Sequence, residues 1–205
     1  MLFRMALLLD LDGVVFKNHR AHDYVAHRCN KFVSHVTRIK NKEQARFINK
    51  SLYEKTGHTV LGLQAMGYNI SVKEFNDYVY NKKLDLGEIC NKELVGLEKR
   101  CRAMNLDVYI YSNAPDSWVE NVLTAMNTKI PTLGNITSEH IKPNIESYNM
   151  VEAIFKNKPI MFVDDKMINI EPVLNRNNWT TFWYCPNTQA TNLTKTIANL
   201  EELFT

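Results

Sequence analysis

The feature that most constrains this chain is the run Met5-Ala-Leu-Leu-Leu-Asp10-Leu-Asp12-Gly13, five apolar residues followed at once by two carboxylates and a glycine. A short continuous apolar stretch fits a strand buried on both faces of a parallel sheet, because no polar residue alternates along it. The carboxylates then fall where the strand leaves the core. If extended geometry persists, Asp10 and Asp12 project to one side, and Gly13 allows a sharp turn with no side chain in a ligand's way. The run carries two aspartates by residue 12 and no small-residue cleavage site. Neither a signal peptide nor a membrane anchor is therefore expected, and the expected location is cytoplasmic.

Similar short runs recur at Asp107–Ser112, Pro159–Asp164 and Thr180–Tyr184, with a weaker one near Ile130–Ile136. Helical spacing separates them: Val119, Val122, Leu123 and Met126 after a candidate N-cap at Asp116, then Met150, Ile154 and Phe155, then Ile168–Leu174 and Leu193–Leu203. Alternating strands and helices with right-handed crossovers predict an α/β open, doubly wound parallel sheet, whose ligands lie beyond the strands' carboxyl ends.

Residues 17–102 interrupt that alternation and are strand-poor. Val25, Cys29, Phe32, Val36 and Ile39 form one helical stripe, a second helix runs from Lys42 to Lys55 and stops at Gly57, Ser71-Val-Lys-Glu74 reads as a capping box, and Leu94, Leu97 and Cys101 mark another helix. The expected organisation is an all-helical insert at 17–102 within a core of 1–16 and 103–205. At 205 residues the chain suits one well-packed domain plus such an appendage. Charge divides the same way: Lys17–Arg100 holds 16 Lys/Arg against 9 Asp/Glu, while the rest holds 9 against 13. The basic stretch Arg38, Lys40, Lys42, Arg46, Lys50 suits an anionic substrate or nucleic acid, although a solvated helix face is the simpler reading. Cys29, Cys90, Cys101 and Cys185 have no ligand spacing and are read as idle thiols.

The chemistry gathers at strand ends. Of Asp10 and Asp12, one carboxylate can attack phosphorus and the other can protonate a departing oxygen, because an acyl phosphate divides one hard displacement into two. Ser112 and Asn113 offer a hydroxyl, an amide and backbone N–H groups to a phosphoryl group, and the ammonium of Lys142 can neutralise both it and the nucleophile. Asp164 and Asp165, with Asn169 nearby, end the fourth run; adjacent buried carboxylates repel unless a hard cation compensates, and magnesium is the natural one beside phosphate.

Asp10-Leu-Asp12-Gly13-Val-Val, Ser112-Asn113, Lys142-Pro143 and Val163-Asp164-Asp165 with Asn169, in this order, resemble the haloacid dehalogenase superfamily over about Leu7 to Tyr184. The resemblance implies a Rossmann-like sheet of order 5-4-1-2-3 with a helical cap, and catalysis through an aspartyl phosphate. It implies Asp10 as nucleophile and magnesium ligand, and Asp12 as acid/base that also lends its backbone carbonyl to the metal. Ser112, Asn113 and Lys142 would hold the phosphoryl group. Asp165 would bind the metal directly, with Asp164 and Asn169 acting directly or through water. Tyr53–Leu63, Ser71–Val79 and Tyr111-Ser-Asn-Ala114 are similar to pyrimidine 5′-nucleotidase-like members, although Asp-Leu-Asp-Gly-Val-Val-Phe16 departs from that group's usual opening.

The expected activity is thus magnesium-dependent hydrolysis of a small phosphorylated metabolite such as a nucleoside 5′-monophosphate, by a monomer or homodimer without membrane partners. Nucleic-acid ends, phosphoproteins and a catalytically idle binding role are the alternatives. Asp12 argues against carbon–halogen hydrolysis, since a halide leaving group needs no acid. Aromatic residues of the insert, Phe32, Phe75 and Tyr78 among them, are read as its own core before any base-stacking role. His19, His22 and His27 are read as solvated, and Trp118, Trp179 and Trp183 as packing residues.

Overall fold

The computed structural model describes residues 5–89, 91–133, 140–156, 158–186 and 193–204. Cys90 lies outside these, as do residues 134–136 of the weak run at 130–136. The other three cysteines are free thiols. The apolar run forms β1 (Ala6–Leu9), every residue of it buried. With β2 (Asp107–Ile110), β3 (Ile160–Asp164), β4 (Trp179–Tyr184) and β5 (Lys195–Ile197) it makes a parallel sheet of order β2-β1-β3-β4-β5. β1 is flanked on both sides, which is why it tolerates no polar residue until Asp10.

The expected order survives with two changes. The third expected strand contributes one parallel bridge, Thr132 to Ile110, among the described residues. The C-terminal segment expected as a helix is instead β5 followed by a 3-10 turn, Leu200–Phe204. Thr194, Thr196 and Ile197 are β-branched and favour extended backbone, and they cover the open edge of β4, where the Thr194 hydroxyl donates to Thr181 O at 2.7 Å.

The chain divides into two units, residues 1–17 with 87–205, and Asn18–Leu86. The second unit holds α1 (His19–Thr37), α2 (Lys42–Thr56), α3 (Thr59–Ala65) and α4 (Val72–Val79). Local chemistry sets their ends: Asn18 and Asn41 cap α1 and α2, Gly57 closes α2 at φ 76°, and Ser71 with Glu74 completes the expected capping box. Phe32 packs edge-on against Phe75 and Tyr78, each at 5.3 Å between centroids, so these aromatics form the unit's core as expected. The amides of Asn30 and Asn49 and the Thr59 hydroxyl link α1, α2 and α3 at 2.8 and 2.7 Å.

His58 caps α3 by accepting the Val60 N–H on Nδ1 at 3.2 Å, and burial pushes its pKa from 6.5 to about 4. Below pH 6.5 the unfolded chain takes up a proton that the folded unit refuses. Stability present at neutral pH is therefore lost as pH falls from about 6.5 to about 4, by about 3 kcal/mol for this one group. Thermal unfolding across that window should show the loss, and His58→Asn, which keeps an acceptor for Val60 but does not titrate, should flatten it. An unchanged pH profile in the variant would remove His58 as the cause.

α5 (Lys92–Ala103) corrects the expected insert boundary of residue 102, because it belongs to the sheet-bearing unit. Its apolar side, Leu94, Leu97 and Cys101, is buried, Asn91 donates to Val15 O at 2.6 Å, and Glu93 accepts the Leu200 N–H at 3.0 Å. The same unit contains α6 (Asp116–Ala125), α7 (Ile145–Phe155) and the short α8 (Met167–Ile170), which continues as a 3-10 turn. Pro115, not Asp116, occupies the N-cap of α6. α7 buries Tyr148, Val151 and Phe155 against Leu8, Phe162 and Trp179, while Met150 and Ile154 face outward. No helix among the described residues is long and apolar enough to cross a membrane.

Candidate active site

Register brings the predicted residues together. Leu9 pairs with Ile110 on one side and Val163 on the other, so the next residue of each strand, Asp10, Tyr111 and Asp164, emerges at one edge of the sheet. Asp10 continues the ladder with its N–H to Val163 O at 2.9 Å, and the Tyr111 N–H reaches Leu9 O at 2.9 Å.

Lys142 occupies the centre of this edge. Its side chain is fully buried, and Nζ donates to Asp10 Oδ1 at 2.8 Å, Asp164 Oδ2 at 2.7 Å and Tyr111 O at 2.7 Å. All three ammonium hydrogens thus have acceptors, which is what a buried cation requires. Burial opposes the charge on Lys142, but Asp10 and Asp164 overcome it and raise its pKa above the ordinary lysine value. The Asp10 carboxyl is also held well above the usual range, first by burial and then by Asp164 and Asp165, with Lys142 pulling the other way.

The Asn113 side-chain amide, expected to face a phosphoryl group, is engaged by the backbone of Lys142. Its side chain receives the Lys142 N–H at 2.8 Å and donates to Lys142 O at 2.8 Å, so the amide grips the lysine's backbone on both sides. Ser112 is buried, and its Oγ accepts the Ala114 N–H at 3.1 Å, leaving the hydroxyl hydrogen to point elsewhere.

Three carboxylates, of Asp10, Asp164 and Asp165, each offer an oxygen within 4.8 Å of the others. Asp164 is the most committed: it accepts from Lys142, from the Lys166 N–H at 2.8 Å and from Asn169 Nδ2 at 3.1 Å. Asp165 pairs with Lys166 Nζ at 2.7 Å, and its pKa is raised by burial, with Lys166 opposing and Asp164 reinforcing. Asn169 Oδ1 is buried without a hydrogen-bond partner among the described residues. Converging oxygen donors with an orphaned amide oxygen beside them fit a hard divalent cation, directly or through water. The Asp12 carboxylate stands outside the trio and accepts Trp118 Nε1–H at 3.3 Å.

Gly13 allows this crowding. Its φ is +101°, and a Cβ there would lie 2.5 Å from Asp165 Oδ2. Gly13→Ala is expected to lower stability by about 1–3 kcal/mol through backbone strain and displacement of that carboxylate. A denaturant midpoint equal to the parent's would contradict the clash.

Two tryptophans read from sequence as packing residues prove to hold site groups, Trp118 on Asp12 and Trp183 by donating Nε1–H to Asp165 O at 3.0 Å. Lys166 was also missed, though its place directly after two aspartates is a usable signal.

No family model and no curated protein matches the chain. Solved structures do. A HAD phosphatase from Thermococcus onnurineus is 14% identical with a TM-score of 0.59, covering 97% of this chain and 95% of its own. The magnesium-bound orthorhombic form of YfnB from Bacillus subtilis is 16% identical, TM-score 0.56, with coverage of 98% and 97%. The L-2-haloacid dehalogenase RSc1362 is 14% identical, TM-score 0.56, with coverage of 98% and 96%. These likenesses show the fold, a Rossmann-like parallel sheet with an inserted helical cap, as in haloacid dehalogenase-type proteins. Since phosphatase and dehalogenase share it, the chemistry has to be argued from the side chains.

Proposed function

We propose that this chain is a magnesium-dependent phosphomonoester hydrolase that works through an aspartyl phosphate on Asp10. The observation that carries the reading is the division of labour among the aspartates. Asp10, Asp164 and Asp165 converge as a cation site, while Asp12, two residues from the nucleophile, is held apart by Trp118. An acid kept out of the cation site suits an oxygen leaving group and has no use with a halide.

In this reading an Asp10 oxygen attacks phosphorus, the bond to the leaving oxygen breaks, and Asp12 gives that oxygen its proton. Asp12 then takes a proton from the water that attacks the acyl phosphate, the bond from phosphorus to Asp10 breaks, and inorganic phosphate leaves. Lys142 balances charge on Asp10 and the phosphoryl oxygens, the Ser112 hydroxyl donates to one of those oxygens, and Asn113 keeps Lys142 in place. Asp10 and Asp165, with Asp164 and Asn169 in support and the Asp12 backbone carbonyl as a further donor, would hold magnesium, which would supply charge favouring ionised Asp10 and screening the phosphoryl group.

The substrate we favour is a small soluble ester such as a nucleoside 5′-monophosphate. The net charge of the second unit, twelve Lys/Arg against six Asp/Glu, favours an anion of that kind. Phosphate release should be measured on a panel of nucleoside monophosphates and sugar phosphates, with chloride release from L-2-chloropropionate alongside. Hydrolysis of at least one phosphomonoester, lost in EDTA and restored by magnesium, is expected. Turnover that survives EDTA would reject the metal, and chloride release without phosphate release would reject the reaction class.

A further inference from the structure

Two lysines reach the aspartate cluster, and they are held differently. Lys142 is fully buried, and its ammonium has three acceptors in Asp10, Asp164 and the Tyr111 carbonyl. A cation so enclosed cannot leave without stranding two carboxylates. Lys166 follows Asp165 directly, and its side chain is 44% exposed. Its ion-pair partner among the described residues is Asp165 Oδ2, at 2.7 Å. The backbone around it is fixed: the Lys166 N–H donates to Asp164 Oδ1 at 2.8 Å, and the Asp165 carbonyl accepts Trp183 Nε1–H at 3.0 Å. Freedom is therefore confined to the long side chain, which can carry its charge from the carboxylate into water while both aspartates stay in place.

The Asp165 carboxylate is in demand from two sides. Its Oδ2 takes the Lys166 ammonium and lies so close to Gly13 that a Cβ there would come within 2.5 Å of it. The same carboxylate supplies one of the three oxygens that converge with those of Asp10 and Asp164. A hard divalent cation gathered by that trio would share Asp165 with an ammonium, and two cations on one carboxylate repel each other. The group that yields is the one held more weakly. A partly exposed ion pair is weakly held because water competes for both charges, whereas Lys142 has no such escape.

We propose that Lys166 is a resident counter-ion that competes with the divalent cation for Asp165, holding the cation's affinity down and leaving the carboxylate as the cation loads. While paired, it screens the repulsion among the three carboxylates. The inference rests on the cation site of the hydrolase reading and adds the residue that regulates its occupancy.

The test is isothermal titration calorimetry of the full chain with magnesium chloride, in the absence of substrate. Lys166→Met, which keeps the bulk of the side chain and removes its charge, should bind magnesium about tenfold more tightly than the parent, a usual size for two ligands coupled at one site. Lys166→Gln, a polar alternative, should show the same gain. Lys166→Arg restores the charge and should bring the affinity back to within about threefold of the parent's, or below it, because a guanidinium grips a carboxylate at least as well. Lys158→Met removes a cation at the opposite end of β3 from Asp164 and should change the affinity by less than about twofold. Unchanged or weaker binding in Lys166→Met and Lys166→Gln would overturn the inference and leave the cation site standing. An equal gain in Lys158→Met would assign the effect to net charge and overturn it as well. Magnesium binding by none of these proteins, the parent included, would overturn both this inference and the metal of the hydrolase reading.

Discussion

Asp10→Asn is expected to abolish hydrolysis, by about 10⁴-fold or more, while leaving the protein folded. The asparagine oxygen can still accept from Lys142 Nζ, which sits 2.8 Å from Asp10 Oδ1, and Lys142 keeps Asp164 as its counter-ion at 2.7 Å. Loss of one charge from three converging carboxylates also relieves repulsion. The change in stability should therefore stay within about 1 kcal/mol, and the loss of activity cannot then be assigned to unfolding. Steady-state phosphate release and thermal unfolding together decide the matter. A variant that keeps more than about one per cent of turnover would remove Asp10 as nucleophile.

Lys142→Met should do the opposite to stability. Methionine fills a similar volume, but Asp10, Asp164 and the Tyr111 carbonyl all lose their donor in a position that is fully buried. Breaking a buried ion pair from one side costs about 3–5 kcal/mol, and here two carboxylates are stranded at once. Activity should be lost as well. Urea unfolding followed by tryptophan fluorescence reports on the right unit, because Trp118, Trp179 and Trp183 all belong to the sheet-bearing one. Magnesium should stabilise this variant more than the parent, since a divalent cation substitutes for part of the missing charge. A midpoint within experimental error of the parent's would contradict the central place given to Lys142.

The residues most legible in the sequence were those whose presence in a buried strand end demands a reason. Asp10, Asp12, Asp164 and Asp165 are costly there without partners, so their positions alone argued for chemistry. The parallel order of the strands followed from the alternation of apolar runs with helical spacing. What the sequence left hidden depends on register and on contacts between distant segments. Nothing local indicates that Asn113 grips the backbone of a residue 29 positions later, or that Trp118 reaches Asp12 across 106 positions. α3, at seven residues, is too short to show a period. α5 has the same helical pattern wherever it packs, and only its contacts with Val15 and Leu200 reveal that it adjoins the sheet. The C-terminal segment read as a helix because leucine spacing outweighed its β-branched residues, which an exposed sheet edge then claimed.

The central claim is a covalent phosphoryl group on Asp10, and it can be measured directly. Asp12→Asn removes the base needed to hydrolyse the acyl phosphate, while p-nitrophenyl phosphate, with its stable leaving anion, needs little acid to form it. This variant should release p-nitrophenolate in a burst and accumulate the intermediate. After acid quench, mass spectrometry should find one phosphoryl group on the peptide that contains Asp10, removable by hydroxylamine. A phosphoryl group on any other residue, or a burst that leaves Asp10 unmodified, would contradict the account.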